Sequence, residues 1–143
     1  VGRPLVRALL AAGAHVRALA GDPARAAESL GAESLGAGTA GGRLACVRFD
    51  FTDPATYAAA FAGGGPLFLL RPPALGDARR DILPAVDAAV AAGVRRVAFL
   101  SVQGAEQNPA VPHHAIERHL EGLAAAGVAS ALLRAAFFMQ NLS

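Results

Sequence analysis

Pro66-Leu-Phe-Leu-Leu70, a helical stretch from Asp77 to Ala92, and then Val94-Arg-Arg-Val-Ala-Phe-Leu100 form the run that decides the fold. The first segment is a short, unbroken apolar run, the kind that a strand buried on both faces carries. Two strands joined through a helix of this length need a crossover connection, which makes them parallel. The same rhythm continues outward. A loop from Ser101 to Pro112 leads to a helix from His113 to about Ala126 and a strand from Val128 to Leu133. Before the run, Pro4 to Ala12 reads as a helix with Leu5, Val6, Leu9 and Leu10 on one face, Pro4 in the first turn and Gly13 as the stop. His15–Ala20 is a strand, Asp22-Pro23 opens a helix to Leu30, Leu44–Phe49 is a strand, and Thr52 or Asp53 caps a helix starting at Pro54. The pattern predicts an α/β fold, a parallel sheet with helices on both faces.

The chain has 143 residues, room for one domain and a real core. Hydrophobic residues make up 54% and charged residues 17%, which excludes an extended disordered chain. No apolar run reaches the roughly 18 residues of a membrane span, and no signal-peptide pattern is present. Cys46 is the single cysteine and has no internal partner, which suits a reducing compartment; the expected location is the cytoplasm, away from membranes. All 13 basic residues are Arg, scattered singly or in pairs, so nucleic acid is not an expected partner. The absence of Lys excludes a lysine base or Schiff base. No metal ligand set is assigned. Glu28-Ser-Leu-Gly-Ala32 is repeated at once as Glu33-Ser-Leu-Gly-Ala37, which reads as a duplicated surface loop.

Several stretches, in order, carry a family resemblance. Val1-Gly-Arg-Pro-Leu-Val6 opens a helix; Arg48-Phe-Asp-Phe-Thr-Asp-Pro54 ends a strand and caps the next helix. Leu67-Phe-Leu-Leu-Arg-Pro-Pro73 and Phe99-Leu-Ser-Val-Gln-Gly104 are strands running into turns. His113-His-Ala-Ile-Glu-Arg-His-Leu120 and Leu132-Leu-Arg-Ala-Ala-Phe-Phe-Met-Gln-Asn141 complete the series. Together they resemble the NmrA-like group of atypical short-chain dehydrogenases, close to the type 2 quinone oxidoreductases. The resemblance implies a Rossmann-type, doubly wound parallel sheet that binds NAD or NADP. It also implies that the first strand and most of the glycine-rich turn precede Val1. The chain is therefore expected to be one incomplete dinucleotide-binding domain over residues 1–143, cut at both ends.

The resemblance also assigns roles. Gly2 matches the third glycine of the turn, where helix and strand pack closely. Asp50 matches the acceptor of the adenine amino group, with Phe51 beside it. Leu70 and Arg71 lie at the turn beside the cofactor ribose, and Ser101 in the loop flanking the nicotinamide. His113 stands where many relatives carry Lys, and as the catalytic candidate it also contacts cofactor. Glu117, one helical turn on, is placed to orient its imidazole. Phe137, Phe138 and Asn141 match the turn beside nicotinamide and substrate. Each has a plainer reading: a strand-ending Asp, a turn Ser, a helix-start His, a core Phe pair.

Departures from the pattern bear on specificity. Gly21 stands where NADP-preferring relatives carry Arg, so no strong NADP preference is expected, and Arg25 is the nearest substitute. Ala135 replaces a common Pro, and Gly122–Gly127 is a longer connection. Tyr57 is the one tyrosine and has no Lys four residues on, so no Tyr-Lys pair exists. The implied function is an oxidoreductase passing hydride to a quinone or similar carbonyl substrate. The alternative is a non-catalytic dinucleotide sensor that reports to a protein partner. A cropped segment with no activity of its own is the third reading.

Overall fold

The computed structural model describes residues 1–31 and 42–136. Phe137, Phe138, Asn141 and the second copy of the tandem repeat lie outside the described residues. The chain divides into two compact units, Val1–Ala60 and Phe61–Ser143.

In the first unit, α1 (Gly2–Ala11) leads to β1 (Val16–Ala20), α2 (Pro23–Leu30) and β2 (Leu44–Arg48). β1 and β2 pair in parallel from Val16↔Leu44 to Ala20↔Arg48. A 3-10 turn, Pro54–Thr56, then runs into α3 (Tyr57–Phe61). Asp-Pro dipeptides set both helix starts. Asp22 Oδ1 accepts from the Arg25 amide at 3.0 Å and Asp53 Oδ1 from the Ala55 amide at 3.1 Å, while Pro23 and Pro54 take a position where no N–H is needed.

The second unit carries a three-stranded parallel sheet in the order β3 (Leu67–Leu70), β4 (Arg96–Val102), β5 (Ala129–Ala135). Its helices are α4 (Ala78–Asp81), α5 (Leu83–Ala91) and α6 (Pro112–Gly122). The predicted helix over Asp77–Ala92 is two helices, because Pro84 has no N–H to return to the turn before it and the ladder breaks at Ile82. β4 starts two residues later than predicted, since the Val94 amide still bonds back to Ala89 O, and it runs through Ser101 to Val102. α6 ends at Gly122 and continues as a 3-10 turn, Leu123–Ala126. At Gly64 (φ +65°) an added Cβ would come within 2.9 Å of the Gly93 backbone, so the α3–β3 and α5–β4 connections touch at two glycines.

The parallel α/β architecture is Rossmann-like, as predicted. Its described strands fall into two separate hydrogen-bonded sheets, one in each unit. The core sits in the second unit, where Phe99, Ile82, Ile116, Leu120 and Val86 are fully buried. The other face of its sheet carries Leu70, Leu100 and Leu133 in one row, with Leu70 and Leu133 exposed. Among the described residues no helix is long and apolar enough to cross a membrane.

Candidate functional site

β4 alternates strictly. Val97, Phe99 and Ser101 are buried, while Arg96, Ala98, Leu100 and Val102 are not. A period of two puts the three buried residues on one face. On α6, residues 113, 116, 117 and 120 share a stripe at helical spacing, and Ile116, Glu117 and Leu120 are buried along it. The two faces meet. The His113 ring stacks on Phe99, centroids 5.8 Å apart and planes inclined by 24°.

Glu117 is a charged residue in an otherwise apolar stripe, 1% exposed. Its carboxylate is satisfied from two neighbouring strands. Ser101 Oγ donates to Oε1 at 2.5 Å. Arg134, on β5, donates from Nε to Oε1 at 3.1 Å and from Nη2 to Oε2 at 2.8 Å, the bidentate fork that suits a carboxylate. Ser101 and Arg134 are register partners across the β4–β5 ladder, so strand pairing itself brings the two donors together. Arg134 also pairs with Glu106 at 3.2 Å. The Arg134 hydrogen bonds, helped by Ser101, hold the Glu117 carboxyl below the usual carboxylate range although burial opposes them.

Glu117 therefore does not hydrogen-bond His113, as its spacing had suggested. A carboxylate this deep takes the nearest strong donors, and these are the guanidinium and hydroxyl on the strands. Among the described residues His113 makes no hydrogen bond. Burial lowers its pKa, the Arg71 charge lowers it further, and Glu117 acts in the opposite direction. The net effect favours the neutral imidazole. Of the other histidines in this unit, His114 Nδ1 lies 2.7 Å from Ala105 O and His119 Nε2 lies 2.6 Å from Asp87 Oδ1 on α5, so both are tied to the scaffold.

Arg71 follows β3 directly. Its Nη1 donates to the carbonyls of Pro72, Pro73 and Leu75 at 3.0, 3.3 and 2.7 Å, folding the turn around the guanidinium. Its Nε is buried without a partner. Leu70, the last residue of β3, is 42% exposed. Leu70, Arg71, Ser101 and Arg134 thus stand at the carboxyl ends of three parallel strands, with His113 in the first turn of α6.

In the first unit, Asp50 and Phe51 follow β2. Asp50 Oδ1 accepts from the Thr52 amide and from Thr52 Oγ1, each at 2.8 Å, and these bonds hold its carboxyl below the usual range. Its Oδ2 has no hydrogen-bond partner among the described residues. The Tyr57 hydroxyl donates to Phe51 O at 2.5 Å, and the Phe51 and Tyr57 rings flank Phe49 at centroid distances of 4.8 and 5.9 Å. Gly2 opens α1 in an exposed position, where an added Cβ would meet none of the described residues within 4 Å. Arg134 was the site residue without an assigned role in the sequence. The signal that could have found it is Glu117, a carboxylate on a buried stripe that demands a cation from a neighbouring strand.

Comparison with known proteins follows the same lines. The NmrA-like family matches residues 1–143. Cinnamoyl-CoA reductase 1 of Oryza sativa subsp. japonica is 37% identical over 118 residues, covering 76% of this chain and 33% of that protein. The NADPH-dependent quinone oxidoreductase of Escherichia coli, in complex with NADPH, superposes with a TM-score of 0.70 at 26% identity, over 89% of this chain and 41% of that one. The Citrobacter sp. triphenylmethane reductase in complex with NADP(H) gives 0.68 at 21% identity, over 88% and 41%, a likeness of fold alone. The chain spans less than half the length of each.

Proposed function

The chain belongs to the NmrA-like family, and on that premise we propose that it is the NAD(P)-binding part of a reductase acting on a quinone or similar carbonyl substrate. The two units are proposed as parts of one dinucleotide-binding domain. The observation that supports this most directly is the gathering of Arg71, Ser101 and Arg134 at the carboxyl ends of parallel strands, where open α/β sheets bind their ligands. The quinone oxidoreductase and triphenylmethane reductase it resembles are described with NADPH and NADP(H).

The residues present fit a dinucleotide. Asp50 offers an ionised, exposed carboxylate with one oxygen unpaired, suited to the adenine amino group, and Phe51 lies beside it. Gly2 is proposed at the pyrophosphate turn, and Leu70 and Arg71 at the ribose, where a ribose oxygen would give the unpartnered Arg71 Nε an acceptor. Ser101 is proposed at the nicotinamide end, its hydroxyl already committed to Glu117. Phe137, Phe138 and Asn141 remain proposed substrate contacts.

A reduced nicotinamide, when bound, supplies a hydride. Reduction of a quinone to its hydroquinone also needs a proton. The surroundings of His113 favour its neutral form, so its proposed role is to donate a hydrogen bond that orients a ribose or acceptor oxygen, with the proton taken from solvent. With no lysine and no Tyr-Lys pair in this chain, the remaining work is alignment of the nicotinamide against the acceptor.

Gly21 and the N-cap Asp22 follow β1, and neither supplies a cation for a 2′-phosphate. No strong preference for NADP is proposed. The test is to titrate NADH and NADPH into the full-length protein and then follow loss of reduced nicotinamide on adding a quinone. Binding of either dinucleotide with quinone-dependent oxidation supports the reading. Failure to bind either one sinks it, and a preference for NADPH beyond about tenfold, or 1.4 kcal/mol, assigns the phosphate contact to Arg25 or another cation.

A further inference from the structure

Three elements meet at the Glu117 carboxylate: α6 through Glu117 itself, β4 through Ser101 and β5 through Arg134. Charged residues are almost never buried this completely unless paired, and apolar replacements of similar shape often serve stability equally well. Packing alone therefore does not explain a carboxylate at position 117. Its location suggests what it does. His113 is one turn earlier on the same stripe, and the ring it stacks on, Phe99, is two residues before Ser101 on the same face of β4. α6 is thus tied to one strand face at two neighbouring places, once through Glu117 and once through His113.

We propose that Ser101, Glu117 and Arg134 are positioning residues for His113: a buried clamp that fixes the turn of α6 carrying the imidazole and keeps the ring flat against Phe99. None of the three needs to touch a reactant. Ser101 in particular acts through Glu117, with its hydroxyl turned to the carboxylate and the residue 1% exposed. The charges that act on the imidazole are Arg71, from the turn after β3, and Glu117, on α6 itself. Arg134 on β5 is paired with Glu117, and Glu106, in the 3-10 turn Ala105–Gln107, is paired with Arg134. The clamp places the carboxylate so that it offsets Arg71 at the ring.

The inference rests on the proposed role of His113 only for its effect on turnover, so the decisive measurement uses no cofactor or substrate. The ring signals of the histidines are followed by NMR through a pH titration of the full-length protein, with His113 assigned by loss of its signal in His113→Gln. In Glu117→Gln, which keeps the shape and removes the charge, the His113 midpoint should fall, because the opposite charge that raises it is lost. The ring-current displacement that Phe99 imposes on His113 should shrink. A folded Glu117→Gln protein with His113 unchanged overturns the proposal. If that variant does not fold, Arg134→Lys and Ser101→Ala carry the test: a weakened Phe99 ring-current effect on His113 supports the clamp, and an unaltered one overturns it. Wild-type turnover in His113→Ala would instead remove the functional reading and leave the clamp to be judged by the titration.

Discussion

The two units are built from the same kinds of element but bury their side chains to very different degrees. In the second unit β4 has a hydrogen-bonded neighbour on each side and helices over one face, and Phe99 in its middle has no exposed surface. In the first unit β1 and β2 pair with each other alone among the described residues, and none of the residues of α1 is buried despite the apolar stripe of Leu5, Val6, Leu9 and Leu10. Among its described residues, burial is confined to Leu30, Thr56, Tyr57 and Ala60. An apolar stripe such as that of α1 is therefore not burial in itself; the described residues of the first unit pair two strands, against three in the second.

The sharpest way to break this contrast is to cut side chains out of each unit in turn. Phe99→Ala should destabilise the protein by about 3–5 kcal/mol, the usual cost of emptying a filled core site. Leu9→Ala on α1 should stay within about 0.5 kcal/mol, as for a surface change. Denaturant midpoints measure both. Equal costs would mean that α1 is packed far better than its exposure indicates.

A second contrast lies in acid. Glu117→Ala removes one partner of a buried pair and should cost about 3 kcal/mol. The pH profile follows from its direction of shift. Because the folded carboxyl titrates below its unfolded value, its stabilisation is complete above about pH 4.3 and is lost as pH falls through the lower folded value. His113, whose folded pKa is also depressed, contributes stability that is complete above about pH 6.5 and declines as acid protonates the ring. Asp50 shifts the same way in the first unit, but it is exposed and solvent-screened, so its share is small. Acid should therefore loosen the second unit in two steps, both absent from a Glu117→Gln, His113→Gln double variant. Amide exchange across β4 reports it.

Much of this was legible in the sequence. Strand and helix positions came from periodicity, and the Asp-Pro starts of α2 and of the turn before α3 came from capping chemistry. The break at Ile82 is absent from the sequence reading because the helical reading of Asp77–Ala92 takes no account of Pro84, and the extension of β4 through Ser101 is absent because a Ser ending a strand reads as a turn residue. Pairing with Arg134 makes it strand instead. His113 and Glu117 were found, but their relationship was not. Spacing along one helix shows which residues share a face and says nothing of donors on another strand.

A third test compares the two proposed ends of the cofactor site. His113→Ala removes one neutral hydrogen bond and should weaken cofactor binding or turnover by about tenfold, corresponding to about 1.4 kcal/mol. A loss beyond about 10²-fold in turnover alone would make the imidazole a general acid after all. Asp50→Asn keeps an acceptor for Thr52 and should cost less than that, read as a change in dinucleotide affinity with turnover at saturation unaltered.

The smallest expected effect belongs to Tyr57, and it separates scaffold from chemistry. Its hydroxyl donates to Phe51 O and its ring lies beside Phe49, so the side chain steadies the turn that presents Asp50. Burial pushes the phenol pKa up, followed by the charges of Asp50 and Asp53, the reverse of what a proton-donating tyrosine activated by a lysine would show. Tyr57→Phe deletes one hydrogen bond while keeping the ring, which should cost about 1 kcal/mol of stability. Asp50 retains both bonds from Thr52, so dinucleotide affinity should change little and turnover at saturation should not change. Melting and quinone-dependent oxidation measured on the same variant decide it. Loss of turnover in a folded Tyr57→Phe protein would place the phenol in the chemistry and remove the account in which this chain only aligns its reactants.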